Sequence, residues 1–130
     1  MTFTGEEIRY MAGQRLGRLA TVDKDGVPQN NPVSFRVLAD GVVEIGGWNM
    51  GKSRKFANVR ERPQVSFVID DIASVDPWEV RGIEIRGRAE AVEGLPVDPK
   101  RPQMSGEVIR IHPRRIRSWN LEGVSSARWV

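Results

Sequence analysis

Residues 49–70, NMGKSRKFANVRERPQVSFVID, place five cations in the twelve positions from Gly51 to Arg62 and then pass into an alternating apolar run. The two halves obey different periods. Ser53 is a helix-capping residue type, and after it Phe56 and Val59 stand three apart on one side of a short helix, with Lys52, Lys55, Arg60 and Arg62 crowding the rest. Pro63 ends that helix, because proline disfavours helical backbone at the residue before it. Val65, Phe67 and Ile69 then alternate with polar neighbours, the pattern of a half-buried strand.

Outward from this stretch the chain reads mostly as strand. IEIRGRAEAV (83–92) puts Ile83, Ile85, Ala89 and Ala91 on one face and Glu84, Arg86, Arg88 and Glu90 on the other. RLGRLATV (15–22) is a strand closed by the turn DKDG, and PQNNPVSFRVL (28–38) places Val33, Phe35 and Val37 on one side. ADG (39–41) turns the chain into VVEIGGW (42–48), a hairpin. EVIRIHPRRIRSW (107–119) is a final strand bent at Pro113, and LPVDPKRPQ (95–103), with three prolines, is a loop. At the start, TGEE (4–7) has capping-box spacing, followed by an apolar stripe of Ile8, Met11 and Ala12. The expected fold is a small antiparallel β-barrel of six strands with two short helices.

Composition narrows the chemistry. With 130 residues, 39% of them apolar, the chain buries one core, so residues 1–130 are expected to form one domain. The absence of cysteine excludes disulfides, thiolate metal sites and thiol catalysis, and the one histidine, His112, reads as a structural or surface group before Pro113. No metal site is expected. The chain shows neither an 18-residue apolar run nor a signal-peptide pattern, which predicts a cytoplasmic protein without a membrane partner. A net charge of +3 raises the question of nucleic acid, but the excess sits in two short segments, and no recognition helix, zinc finger or aromatic RNA-binding signature accompanies it. Asp70 and Asp71 read as solvated acids at a strand end.

The opening segment holds the strongest chemical signal. Gly46 and Gly47 permit close backbone approach, Asn49 and Ser53 offer neutral hydrogen-bonding groups, and Lys52, Arg54 and Lys55 stand at a helix start, where N–H groups and the helix dipole favour anions. Trp48, between the glycines and the cations, offers a surface for a flat ligand. Trp129 reads as core or dimer packing.

These residues also carry a family resemblance. GKSRKFANVRERPQVSFVID resembles the phosphate-binding turn of the split-barrel flavoproteins related to pyridoxamine 5′-phosphate oxidase. LGRLATVDKDGVPQNNPVSF resembles their first hairpin and WEVRGIEIRGRAEAVEG their fifth strand, while IRIHPRRIRSWNLEG is similar to a branch of coenzyme F420-dependent oxidoreductases of that class. The resemblance spans residues 8–122 and implies an F420-dependent reductase, with FMN as the alternative cofactor, passing hydride to a small-molecule acceptor. It further implies a homodimer with sites at the subunit interface. Carried over by position, Arg54 and Lys55 match phosphate ligands, Ser53 the small residue before them, and Trp48 and Asn49 a strand end touching ring and phosphate tail. Asn31, Pro32, Val33, Ser34 and Phe35 match a strand whose backbone borders the ring, and Arg36 replaces a family lysine. Lys52 and Arg60 are additional cations for a longer anionic tail. Gly82 stands where the oxidases carry a flavin-contacting glutamine, and Asn31 where they carry a phosphate-binding arginine, which argues against vitamin B6 oxidation. No catalytic side chain is assigned. A cofactor carrier without turnover and a basic nucleic-acid-binding barrel are the other readings the residues leave open.

Overall fold

The computed structural model describes residues 2–130 as a curled antiparallel sheet with two α-helices against it. In chain order these are α1 (Gly5–Ala12), β1 (Leu16–Val22), β2 (Pro28–Ser34), β3 (Arg36–Val37), β4 (Val43–Ile45), a 3-10 turn (Met50–Lys52), α2 (Arg54–Glu61), β5 (Gln64–Ser74), β6 (Glu79–Val92), β7 (Val108–Leu121) and β8 (Val124–Trp129). The strand order is β2-β1-β5-β6-β7-β4-β3, with β8 also paired to β7. β2 and β3 end that path on opposite sides, yet Phe35 alone separates them in sequence. Only a sheet curled back on itself satisfies both facts, and this curl is the antiparallel barrel expected from the strand pattern, in the split form that the resemblance implies.

The strand count is eight rather than six, for two reasons. The strand expected over 28–38 breaks at Phe35, and residues 124–129 add a hairpin strand. That hairpin turns at Glu122 and Gly123, both in left-handed backbone at φ 51° and 76°. Glu-Gly lacks the usual Asn or Asp of such a turn, so the sequence signal was weak.

Phe67 sits at the centre of the core with Ile69, Ile83, Ile85, Ile109 and Ile116, each fully buried. Burying such side chains contributes roughly 1.5–3 kcal/mol apiece. Phe35 meets the Phe67 ring edge-on, with centroids 5.4 Å apart. Gly17 makes room, since a Cβ there would stand 2.2 Å from the Phe67 ring. Pro113 marks a bulge, as expected of a bend: Arg86 pairs with Arg115 but Gly87 pairs with Pro113.

The α1 capping box forms as its spacing predicts, with Glu7 N–H donating to Thr4 Oγ1 at 3.2 Å and Thr4 N–H to Glu7 Oε1 at 2.9 Å. The buried face differs from the expected Ile8, Met11 and Ala12 stripe. It consists of Glu7, Tyr10 and Met11, while Ile8 is 39% exposed. Glu7 tolerates burial because Arg128 of β8 grips its carboxylate at 2.6 and 3.0 Å. Asp71 likewise departs from the solvated strand end expected of it. β5 continues to Ser74, and Asp71 accepts bonds from Arg81 at 2.7 and 3.0 Å and from the Tyr10 hydroxyl at 2.9 Å. Trp129 is 75% exposed, outside the core, with Arg115 5.1 Å above its ring.

Both carboxylates hold depressed pKa values. Burial pushes Glu7 up from its ordinary 4.5, but the Arg128 and Thr4 hydrogen bonds outweigh it; for Asp71 the Arg81 bond is the leading cause. Between the ordinary carboxylate range and those lower values the unfolded chain binds more protons than the native one, so stability falls as pH falls through that window. Melting temperature measured from pH 7 to pH 3 is expected to decline below about pH 4.5, the ordinary Glu value. Arg128→Ala should lose about 3–5 kcal/mol at neutral pH by leaving Glu7 buried and unpaired. A flat acid limb, or an Arg128→Ala chain as stable as the parent, would contradict this account.

Candidate cofactor and acceptor site

β2 is an edge strand with an unusual edge. Pro32 pairs with Arg18 and Pro28 with Val22, and neither proline has an N–H to give the ladder, so positions 28, 30, 32 and 34 direct their backbone groups away from β1. The free edge therefore offers the N–H groups of Asn30 and Ser34 and is blunted by the two prolines. Side chains alternate accordingly: Pro32 and Ser34 are exposed, Asn31 is half-buried and Val33 is in the core. Val33, of the opposite parity, has its side chain in the core and turns its own backbone groups to β1.

Asn31 belongs to a chain of polar groups. Gln29 Nε2 donates to Asn31 Oδ1 at 2.7 Å, and Asn58 Nδ2 of α2 donates to Gln29 Oε1 at 3.3 Å and to the buried Thr21 Oγ1 at 3.1 Å. Edge strand and basic helix are thus tied together. Gln29, Thr21 and Asn58 were not singled out from the sequence; the available signal was an amide standing next to Val59 on the helix side that must be buried.

The turn before α2 is tightly made. Asn49 takes left-handed backbone at φ 51°, and its N–H donates to Gln103 O at 3.1 Å. The Ser53 hydroxyl donates to Met50 O at 2.6 Å and accepts from Phe56 N–H at 3.2 Å. Ser53 is therefore the helix cap, with its proton committed. The N–H groups of Arg54 and Lys55, in the first turn of α2, point out of the helix start as such groups do. Trp48, just before this turn in the sequence, is 73% exposed.

Cations on α2 divide by position. Among the described residues Lys52, Arg54 and Lys55 enter no ion pair. Arg60 is bound to Glu93 and lies 5.1 Å over the Phe56 ring, and Arg62 reaches Lys24 O at 3.4 Å. Arg60 is therefore spoken for, contrary to the expectation that it serves an anionic tail. His112 is exposed and bonded to Glu90 at 2.9 Å, as a surface histidine should be.

An open cavity of about 410 Å³ lies where β2 ends, lined by Ser34, Phe35, Arg36, Glu44 and Gly46 and closed by the segment 95–108. Met104 of that segment approaches Gly46, where a Cβ would stand 3.0 Å from its Cε. Ser34 and Phe35 reach the cavity, Trp48 to Lys55 follow directly from Gly46, and the Asn31 and Val33 side chains stay apart from it. Among the described residues no cluster of His, Asp or Glu is arranged to hold a metal ion, and no helix is long and apolar enough to cross a membrane.

Gly82 is buried opposite Trp119. A Cβ there would stand 2.7 Å from Ile69 O and 2.8 Å from the Trp119 ring, so no side chain can project from this position as the chain is built.

The fold, with its free strand edge and its capped basic turn, defines a split-barrel protein. A model of the family described as pyridoxamine 5′-phosphate oxidase matches residues 4–120, and the chain belongs to that family. It is 48% identical over 126 residues to the 5a,11a-dehydrotetracycline/5a,11a-dehydrooxytetracycline reductase of Streptomyces rimosus, covering 95% of this chain and 87% of the relative. A crystal structure of the conserved hypothetical protein Rv2991 from Mycobacterium tuberculosis is similar at TM-score 0.72 and 29% identity, over 91% of this chain and 85% of that one. The FAD binding protein from Mycobacterium smegmatis shares the fold at TM-score 0.63 and 19% identity, over 91% of this chain and 94% of that one.

Gly82→Gln should destabilise the chain by about 1–3 kcal/mol through overpacking. A thermal melt reads this directly, and an unchanged midpoint would show that Trp119 yields freely.

Proposed function

We propose that this protein is an oxidoreductase that binds coenzyme F420 at the N-terminus of α2 and along the β2 edge, and reduces a small-molecule acceptor in the adjoining cavity. The observation that carries the reading is a set of three cations, Lys52, Arg54 and Lys55, without an ion-pair partner among the described residues, gathered at a capped helix start whose preceding turn abuts, at Gly51, Glu107 of the cavity lining. The reductase relative supports the reaction class, and its name makes a dehydro compound the species reduced. When bound, the reduced deazaflavin supplies a hydride equivalent.

The chain's own residues then hold and orient. Arg54 can grip phosphate oxygens in a fork, Lys55 and Lys52 add point charges, and the first-turn N–H groups complete the cradle. Asn30 and Ser34 present edge N–H groups to a ring, and Trp48 offers it a face. The reading includes a homodimer whose seam completes the site, supported by the exposed Trp48, Trp78 and Trp129, and a cytoplasmic protein with neither membrane nor nucleic acid as partner. FMN is the second cofactor reading, favoured by family membership; the blocked Gly82 position removes one contact the oxidases give it.

Titrating F420 and FMN against intrinsic tryptophan fluorescence should show tighter binding of F420; equal or tighter FMN binding overturns the choice. Arg54→Ala and Lys55→Ala should each weaken the cofactor roughly ten- to hundred-fold, the equivalent of about 1.5–3 kcal/mol, with the fold intact. Arg62→Ala should cost well under ~1 kcal/mol. If all three variants bind like the parent, the cluster is a solvated helix face. A parent that binds F420 yet never oxidises the reduced form with any added acceptor is a carrier.

A further inference from the structure

Ser34, Arg36, Glu44, Asp98, Arg101 and Glu107 are the polar residues that line the cavity, and they differ in what already holds them. Arg36 of β3 and Arg110 of β7 stand opposite Glu44 on its two sides and donate to separate oxygens, at 2.8 and 2.9 Å, so Glu44 is satisfied. Asp98 Oδ1 accepts from Lys100 N–H at 2.9 Å and closes a local turn. Arg101, in the same loop, is exposed. Glu107 is the exception. It enters no ion pair among the described residues, and its Oε2 is shut off from solvent without a hydrogen-bond partner. Among the described residues one other buried side-chain polar atom is in that state, Ser105 Oγ, two positions away.

Glu107 is held where it stands by the turn before α2. Its carboxyl rests on the backbone of Gly51, where a Cβ would lie 2.5 Å from Oε1 and 2.8 Å from Cδ, so only glycine leaves room for it. On its other side Glu107 follows directly on the segment 95–106, which forms one wall of the cavity. That segment is closed at its neck by Leu95 N–H donating to Gly106 O at 3.0 Å, and Gly94 and Gly106 bound it in left-handed backbone at φ 75° and 83°. None of residues 93–108 is buried as a whole, so the segment can shift at low cost. A buried oxygen without a partner disfavours the fold as it stands, and a ligand N–H or O–H brought to it would remove that penalty. A group that lowers stability in a cavity wall has the mark of one retained for binding.

We infer that Glu107 is a specificity-determining residue of the acceptor site, accepting a hydrogen bond from a hydroxyl or ammonium group of the acceptor when the 95–106 segment shifts to admit it. The inference rests on the oxidoreductase reading for the word acceptor, but not for the binding it describes. Such a site favours compounds that bring a donor to Glu107. It rejects analogues that present only lone pairs there, because these leave the carboxyl oxygen as unpartnered as before.

Calorimetric titration of 5a,11a-dehydrotetracycline, a ring compound rich in hydroxyl donors, and separately of F420, onto the parent, Glu107→Gln, Glu107→Met and Asp98→Asn chains tests this, together with a thermal melt of each. Glu107→Met keeps the length of the side chain and removes its oxygens. It should raise the melting midpoint by about 2–8 °C while weakening the tetracycline probe roughly tenfold or more. A residue kept for the fold would not give that opposition, since replacing it lowers the midpoint. Glu107→Gln, which still accepts through its amide oxygen, should bind the probe with an affinity between the two. Asp98→Asn, an acid of the same lining with its turn preserved, should bind the probe like the parent, and F420 should bind no chain more weakly than the parent. The inference is overturned if the parent does not bind the probe, if Glu107→Met binds it like the parent or melts below the parent, if Asp98→Asn loses as much as Glu107→Met, or if the loss falls on F420 instead. A parent that fails to bind F420 while Glu107→Met loses the probe removes the reading in the previous subsection and leaves this one standing.

Discussion

Phe35 is the residue through which the two ends of the sheet are joined. Because β2 and β3 lie at opposite ends of the strand order and are one residue apart, the whole sheet must close around that point. The Phe35 ring secures the closure on Phe67, which in turn rests in space that only a glycine at position 17 leaves open. Closure by a single link leaves the rest of β2 without a second partner. The free edge is therefore a by-product of the fold, and Pro28 and Pro32 keep it from recruiting another strand. What remains is a short row of backbone donors beside a cavity.

Charge is distributed with the same economy of position. Three carboxylates drawn wholly or partly inward are met by arginine: Glu7 by Arg128, Glu44 by Arg36 and Arg110, Asp71 by Arg81. Lone removal of either partner from such a buried pair is costly. At the start of α2 the opposite holds. Lys52, Arg54 and Lys55 have no carboxylate partner among the described residues, and the helix dipole adds positive potential where they stand. Self-repulsion within that cluster is a cost that an anion at the helix start would relieve.

Much of the fold was legible because its elements follow local rules. Alternation in 64–70 and 83–92 survives in the structure with Val65, Phe67, Ile69, Ile83, Ile85 and Ala89 inward, and Thr4 and Ser53 cap the helices their positions suggest. The basic turn was equally legible, since a cap followed by cations is a local signal. What escaped was set by register. Glu44 sits between two apolar residues in the position of a solvent-facing acid, and only the pairing of β3 and β7 with β4 shows that arginines cover it. Glu7 was missed for the same reason, its partner being over a hundred positions away. The last strand was missed because its turn is Glu-Gly and its run, VSSARW, shows no apolar alternation.

The amide chain from Asn58 through Gln29 to Asn31 has a thermodynamic meaning beyond geometry. It is a mechanical linkage between the helix that would take a charged tail and the strand that would border a ring. Order imposed on one element is transmitted to the other, so the two halves of an elongated ligand are not bound as independent fragments. Linkage is reciprocal: whatever free energy the tail contributes to stiffening β2, the ring returns to α2.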